Sequence, residues 1–145
     1  MSDAAAAALA RRLPQGRVSI DDADRLAASM DLWPRHVLRL REGGTAEIPR
    51  AVVWPATLEE VQITIGAARE LGLGLVPYAG GSSVVGGATP EPDQVVLDLK
   101  RLDRIRAVDT ERLFVTCEAG VLGELLDREL GRHGLTVGHF PSSMY

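Results

Sequence analysis

Five apolar residues at helical spacing, Leu58, Val61, Ile65, Ala68 and Leu71, predict an amphipathic helix with one buried face. Thr57-Leu58-Glu59-Glu60 opens it as a capping box, with the Thr57 hydroxyl accepting from one orphan N–H and Glu60 reaching back to another. Gly72 or Gly74 ends it. Short apolar runs flank the helix: Ala51-Val52-Val53-Trp54, closed by Pro55, and Leu73-Gly74-Leu75-Val76. They predict two parallel strands joined through the helix, a βαβ unit.

After Pro90-Glu91-Pro92 the pattern changes. Residues 94–99, 105–108 and 112–117 predict three short strands with turn residues between them, and Cys117 reads as a buried structural thiol on the last. A second amphipathic helix carries Leu122, Leu125, Leu126 and Leu130, ends near Gly131 or Gly134, and leads to Leu135-Thr136-Val137. The start of the chain is helical. Residues 4–13 have high helix propensity and stop at Pro14. Ser19 then reads as the N-cap of a short helix with Asp21, Asp22 and Asp24 in its first turn, ending near Met30. Asp31-Leu32-Trp33-Pro34 breaks that helix, Trp33 reading as a core or docking anchor, and His36 and His133 read as solvent-facing. The expected organisation is a helical N-terminal segment, 1–45, and an α+β domain, 46–145, whose parallel βαβ lobe precedes the opening strands of a second lobe.

Composition narrows the partners. At 145 residues, 46% hydrophobic and 25% charged, the chain has the make-up of one globular domain. Its net charge is −4 and its sixteen Lys and Arg are scattered, which excludes an electrostatic nucleic-acid binder. With 4% aromatic residues there is little surface for stacking bases. A single cysteine leaves no internal disulfide framework. No apolar run reaches transmembrane length, and residues 4–10 lack the basic start of a signal peptide, so the expected compartment is the cytoplasm.

The chemistry concentrates in residues 77–87, Pro-Tyr-Ala-Gly-Gly-Ser-Ser-Val-Val-Gly-Gly. This loop follows a predicted parallel strand, where open α/β sheets place ligands. Gly80 and Gly81 let a ligand approach bare backbone, and successive N–H groups with the Ser82 and Ser83 hydroxyls can converge on an anion. A phosphate or pyrophosphate is the natural occupant. The stretch has neither the Gly-Lys-Ser/Thr of a Walker loop nor a spaced G-x-G-x-x-G. Taken alone, it reads first as a tight turn with no ligand.

Its neighbours carry a resemblance. Pro77 to Ser83, then Val95-Val96-Leu97-Asp98-Leu99 with Ile105, then Glu118-Ala119-Gly120-Val121, then Gly138-His139-Phe140-Pro141-Ser142-Ser143 follow in the order of a known pattern. It resembles the PCMH-type FAD-binding domain of the vanillyl-alcohol oxidase superfamily, in the branch holding alkyldihydroxyacetone-phosphate synthase and D-lactate/glycolate-type FAD oxidoreductases. Ala79 departs from it, standing where the first of three glycines is usual, and fits only with a negative φ.

The resemblance implies a partial two-lobe PCMH-type domain, incomplete at Tyr145, with catalytic residues lying elsewhere; none is assigned here, and no metal. It implies non-covalent FAD, since no histidine sits in the glycine loop. Ala79, Gly80, Gly81, Ser82 and Ser83 would hold the pyrophosphate, with Gly87 in the same loop. Pro77 would fix the loop's start, Tyr78 would pack near the adenosine, and Pro141, Ser142 and Ser143 would approach the flavin. His139 would either hydrogen-bond in the flavin pocket or brace the turn around Pro141. The implied function is the FAD-binding amino-terminal part of an oxidoreductase or of a synthase-like enzyme, inactive alone and completed by a substrate domain or complementary carboxyl-terminal half. The alternatives are a non-enzymatic nucleotide- or phosphate-binding module and an unfolded gene remnant.

Overall fold

In the computed structural model residues 4–141 are described. The elements in chain order are α1 (Ala4–Ala10), β1 (Val18–Ser19), α2 (Asp22–Ala27), α3 (Pro34–Arg41), β2 (Ala51–Val53), α4 (Leu58–Leu71), β3 (Leu75–Tyr78), β4 (Val95–Asp98), β5 (Ile105–Asp109), β6 (Phe114–Cys117) and α5 (Gly123–Gly131). This is an α+β fold with two sheets.

The first sheet has the order β1-β2-β4-β3. Ala51, Val52 and Val53 align in parallel with Val95, Val96 and Leu97 of β4, and Leu75 to Tyr78 align in parallel with Val95 to Asp98 on its other side. β2 and β3 are therefore parallel, as the βαβ pattern predicts, but β4 lies between them. The sequence pattern groups residues 94–99 with the strands that follow; the structure puts them at the centre of the first sheet. All four β4 residues are buried, because it has a neighbour on each side and side chains over both faces. Ala51, Val53, Val95 and Leu97 share one face with Ala6, Leu9, Leu13 and Ala67. Val52 and Val96 point the other way, toward Ala28, Trp54 and Tyr78. Thus α1 and the turn after it supply core, and β1 adds an antiparallel edge to β2. β3 is the opposite edge, which is why Pro77, lacking an N–H, can sit inside it.

Local expectations are corrected at several points. Asp21 caps α2, accepting from the Ala23 N–H, while Ser19 lies in β1 and donates to Asp24. Pro34 begins a helix as well as ending the preceding turn, since its missing N–H is harmless at the first position. The buried residues of α4 are Glu60, Thr64, Ala67 and Ala68, whereas Leu58 and Ile65 are exposed. Val61 and Leu71 are partly buried against the same core as Ala67, so the buried face overlaps the expected one and is shifted from it. Cys117 is exposed, because it lies on the β5–β6 hairpin, which forms a two-stranded sheet of its own.

Thr57 caps α4 through the Glu60 N–H at 3.2 Å. The Glu60 carboxylate reaches one residue further back than a capping box requires, accepting from the Ala56 N–H at 2.7 Å and from Arg17 Nε at 2.7 Å. The Arg17 bond holds the Glu60 carboxyl below its ordinary pKa, with burial opposing and the Ala56 amide assisting. A depressed carboxylate contributes stability above its unfolded pKa and loses it as pH falls through the folded value. Glu60→Gln is expected to cost about 1.5–3 kcal/mol, the worth of hydrogen bonds to a charged group. The difference from wild type should shrink as pH falls through the carboxylate range. Urea titrations at stepped pH measure this, and equal midpoints near neutrality would refute the role given to Glu60.

Candidate cofactor site

The site lies beyond the carboxyl ends of the parallel strands. There Trp54 Nε1 donates to Asp98 Oδ2 at 3.0 Å, and Lys100 Nζ stands 3.1 Å from the same oxygen and over the Tyr78 ring. Tyr78 Oη donates to the Met30 carbonyl at 3.2 Å. Burial raises the Tyr78 pKa, and Lys100 partly offsets it. Tyr78 is thus an internal brace: a Cβ built on Gly81 would lie 2.2 Å from its hydroxyl.

Past Tyr78 the backbone leaves the sheet. The N–H groups of Ala79, Gly80, Gly81 and Ser82 donate to no acceptor among the described residues. Gly81 is buried, Ala79 half-buried, and Gly80 and Ser82 exposed, so the four successive donors are open to an acceptor that is not protein. Gly81 has φ +64°; Ala79 and Gly80 lie outside the left-handed region, which meets the condition that alanine imposes at 79.

This stretch forms one wall of a cavity of about 310 Å³, through Ala79, Gly80 and Ser82. That is the lower end of the range for small-molecule sites, enough for one portion of a dinucleotide. The opposite wall is Val121, Leu122, Gly123 and Leu126 at the start of α5, with Val137, His139 and Pro141 closing the side. A Cβ on Gly80 would project into this space, its nearest neighbour being Leu122 Cδ2 at 3.8 Å. The arrangement fits an anionic nucleotide group: a donor set without cations, on a cradle that a side chain would fill.

The structure thus brings Ala79, Gly80, Ser82, His139 and Pro141 together around one cavity. It places four other candidates behind the loop. Pro77 is in β3 and Tyr78 is the brace. Ser83 Oγ accepts from the Val85 and Gly87 N–H groups, at 3.4 and 3.1 Å. Its two lone pairs are then both in use within the loop. Gly87 enters through its N–H to Ser83, and positive φ falls on Gly86 instead. Ser142 and Ser143 lie outside the described residues. His139 is exposed, lines the cavity and makes no hydrogen bond with a described residue.

Sequence reasoning missed the residues that set these walls. Asp127 Oδ1 accepts from Thr136 Oγ1 at 2.7 Å and from the Val137 N–H at 3.2 Å, tying the segment that leads to His139 onto α5. Asp31 and His36 stand behind the glycine loop. His36 is not solvent-facing: its Nε2 lies 3.2 Å from Asp31 and 2.9 Å from Thr89, and its ring meets Trp33 edge-on. Nothing local in the sequence marks the second contact, since Thr89 is 53 residues away.

A parallel-sheet lobe, a second antiparallel hairpin and a glycine loop with four amides that bond no described residue are the layout of a nucleotide-cofactor domain. Comparison with known proteins makes that specific. The FAD binding domain family matches residues 49–145. The alkyldihydroxyacetonephosphate synthase of Caenorhabditis elegans is 35% identical over 112 residues, covering 74% of this chain and 19% of that protein. The D-lactate dehydrogenase of Archaeoglobus fulgidus is 29% identical over 126 residues, covering 83% and 28%. A solved alkyldihydroxyacetonephosphate synthase superposes with a TM-score of 0.82 at 26% identity, over 94% of this chain and 26% of that one. This chain belongs to the FAD-binding domain family, whose members include FAD-dependent oxidoreductases and alkyldihydroxyacetonephosphate synthases. FAD is the family's cofactor. The chain spans about a fifth of the length of the first synthase relatives. No helix among the described residues is long and apolar enough to cross a membrane.

Proposed function

We propose that this chain holds FAD non-covalently as the cofactor-binding part of an alkyldihydroxyacetonephosphate synthase-like enzyme or an FAD-dependent oxidoreductase. The observation that carries this is the run of four amides at 79–82 that bond no described residue, three of them on residues that line the cavity. Those amides and the Ser82 hydroxyl take the pyrophosphate. Pro77, Tyr78, Ser83 and Gly87 shape the loop from behind, and His139 and Pro141 approach the other end of the cofactor. Bound flavin supplies the electron-accepting chemistry, while the protein holds and orients it. Residues 46–145 form the cofactor domain, and the 1–45 segment lends it β1 and part of its core. Substrate contacts fall to a complementary carboxyl-terminal domain. The cytoplasm is the compartment, in keeping with a free, exposed Cys117.

Titration with FAD, followed by flavin fluorescence, tests the reading, with FMN as the arm that lacks the pyrophosphate. FAD is expected to bind and FMN to bind at least about tenfold more weakly, the loss of one or more hydrogen bonds to a charged group. Acid precipitation of the loaded protein should release all flavin to the supernatant. Equal affinity for FMN would overturn the pyrophosphate assignment, and fluorescence retained in the precipitate would refute non-covalent attachment.

A further inference from the structure

The segment before the family-matched region is joined to the glycine loop by a set of polar contacts that cofactor binding alone does not explain. The Leu32 N–H donates to the Ser83 carbonyl at 2.9 Å. The Asp31 carboxylate is shut off from solvent, its side chain 0% exposed. Its Oδ1 accepts from the Trp33 N–H at 3.0 Å, and its Oδ2 lies 3.5 Å from the Ala88 N–H. Burial opposes its charge, while the Ser83 hydroxyl and these amides help hold its pKa below the ordinary carboxylate value. His36 Nε2 bridges Asp31 to Thr89 Oγ1. Across the middle, a Cβ on Gly86 would lie 2.8 Å from the Trp33 ring, so the indole rests on bare backbone.

These contacts reach Ser83, Gly86, Ala88 and Thr89, immediately after the free amides. Helix α3 itself buries no residue. Its tie to the body of the protein is therefore this polar set and little apolar core. An Asp31 carboxylate without its partners would be a costly buried charge, so segment and loop order one another.

We propose that residues 30–36 are a clasp that fixes the glycine loop in its anion-accepting shape, with Asp31 and His36 as positioning residues for the pyrophosphate site. The role toward the cofactor rests on the function proposed above; the role toward the loop does not. Two readouts separate them. Amide hydrogen exchange of residues 79–89, measured without flavin, reports the loop. FAD affinity reports the cofactor.

Asp31→Ala and His36→Ala are expected to raise loop exchange about tenfold, the loss of one hydrogen bond to a charged group, while β2, β4 and α4 keep their protection. FAD affinity should fall by a similar factor. His36→Gln, whose amide can replace Nε2 between Asp31 and Thr89, should restore both. Should Asp31→Ala fail to fold, Thr89→Val at the margin of the cluster gives the same readout. Unchanged loop exchange in the alanine variants would overturn the clasp. Raised exchange with unchanged FAD affinity would overturn the positioning role, and failure of the wild-type chain to bind FAD would overturn the cofactor reading while exchange still decided the clasp. A loss that His36→Gln does not rescue would reduce His36 to space-filling.

Discussion

Gly120→Ala is expected to destabilise the protein by about 3 kcal/mol, at the upper end of the cost of overpacking, and to lower the melting temperature by roughly 10 °C. A Cβ at 120 would stand 2.0 Å from the Leu99 carbonyl oxygen and 2.9 Å from that of Leu102. Both are backbone atoms, so no side chain can swing aside. The Gly120 N–H donates to the Leu102 carbonyl at 2.8 Å, and Leu102 in turn donates to Leu99 at 2.8 Å. The glycine is thus pressed onto the turn that leaves β4, and it is the hinge point from which the chain enters α5. Pushing it outward would also carry Val121, Leu122 and Gly123, which wall the cavity, so FAD binding should weaken with stability. Gly66→Ala is the control. It lies inside α4 with nothing within 4 Å of its Cβ, and it should be neutral or stabilising by roughly 0.5–1 kcal/mol. Thermal unfolding followed by circular dichroism measures both. A Gly120→Ala protein that melts with wild type would show that the close approach is absent.

The same residue shows what a sequence discloses and what it withholds. Gly120 stands in the Glu-Ala-Gly-Val block that carries part of the family resemblance, so its place was visible; the carbonyls that exclude a side chain come from a turn about twenty residues earlier and were not. The strands followed the same rule. Val95 to Leu97 is an unbroken apolar run, the mark of a strand buried on both faces. Its position between β2 and β3 depends on pairing with residues 20 to 45 positions away, which no local period encodes. In α4 the periodic large residues suggested one face; Val61 and Leu71 do pack against the core, but the buried positions are Glu60, Thr64, Ala67 and Ala68. The composition of the glycine loop marks it as a candidate anion site. What the sequence does not show is its backing: Leu32 donates to the Ser83 carbonyl and Asp31 lies against the Ala88 amide, contacts that span 51 and 57 positions and appear only in three dimensions.

Gly80→Val is expected to abolish FAD binding, raising the dissociation constant by at least about a hundredfold, while leaving the fold intact. The two adjacent glycines do different work. At Gly81, φ is +64° and a Cβ would lie 2.2 Å from the Tyr78 hydroxyl, so Gly81→Val strains the backbone and drives Tyr78 off the Met30 carbonyl. It should lose both stability and flavin, and the loss of flavin would then say little about where the cofactor sits. At Gly80 the backbone lies outside the left-handed region, and the nearest atom to a Cβ is 3.8 Å away, on Leu122 across the cavity. A Cβ there meets no protein atom closer than 3.8 Å, and the branches beyond it enter the space between residues 79–82 and α5. FAD titration and thermal unfolding of the two variants separate steric exclusion of a ligand from collapse of the loop. A Gly80→Val protein that binds FAD with wild-type affinity would place the cofactor elsewhere. One that melts several degrees lower, as Gly81→Val should, would show that residue 80 belongs to the scaffold and is no part of the cradle.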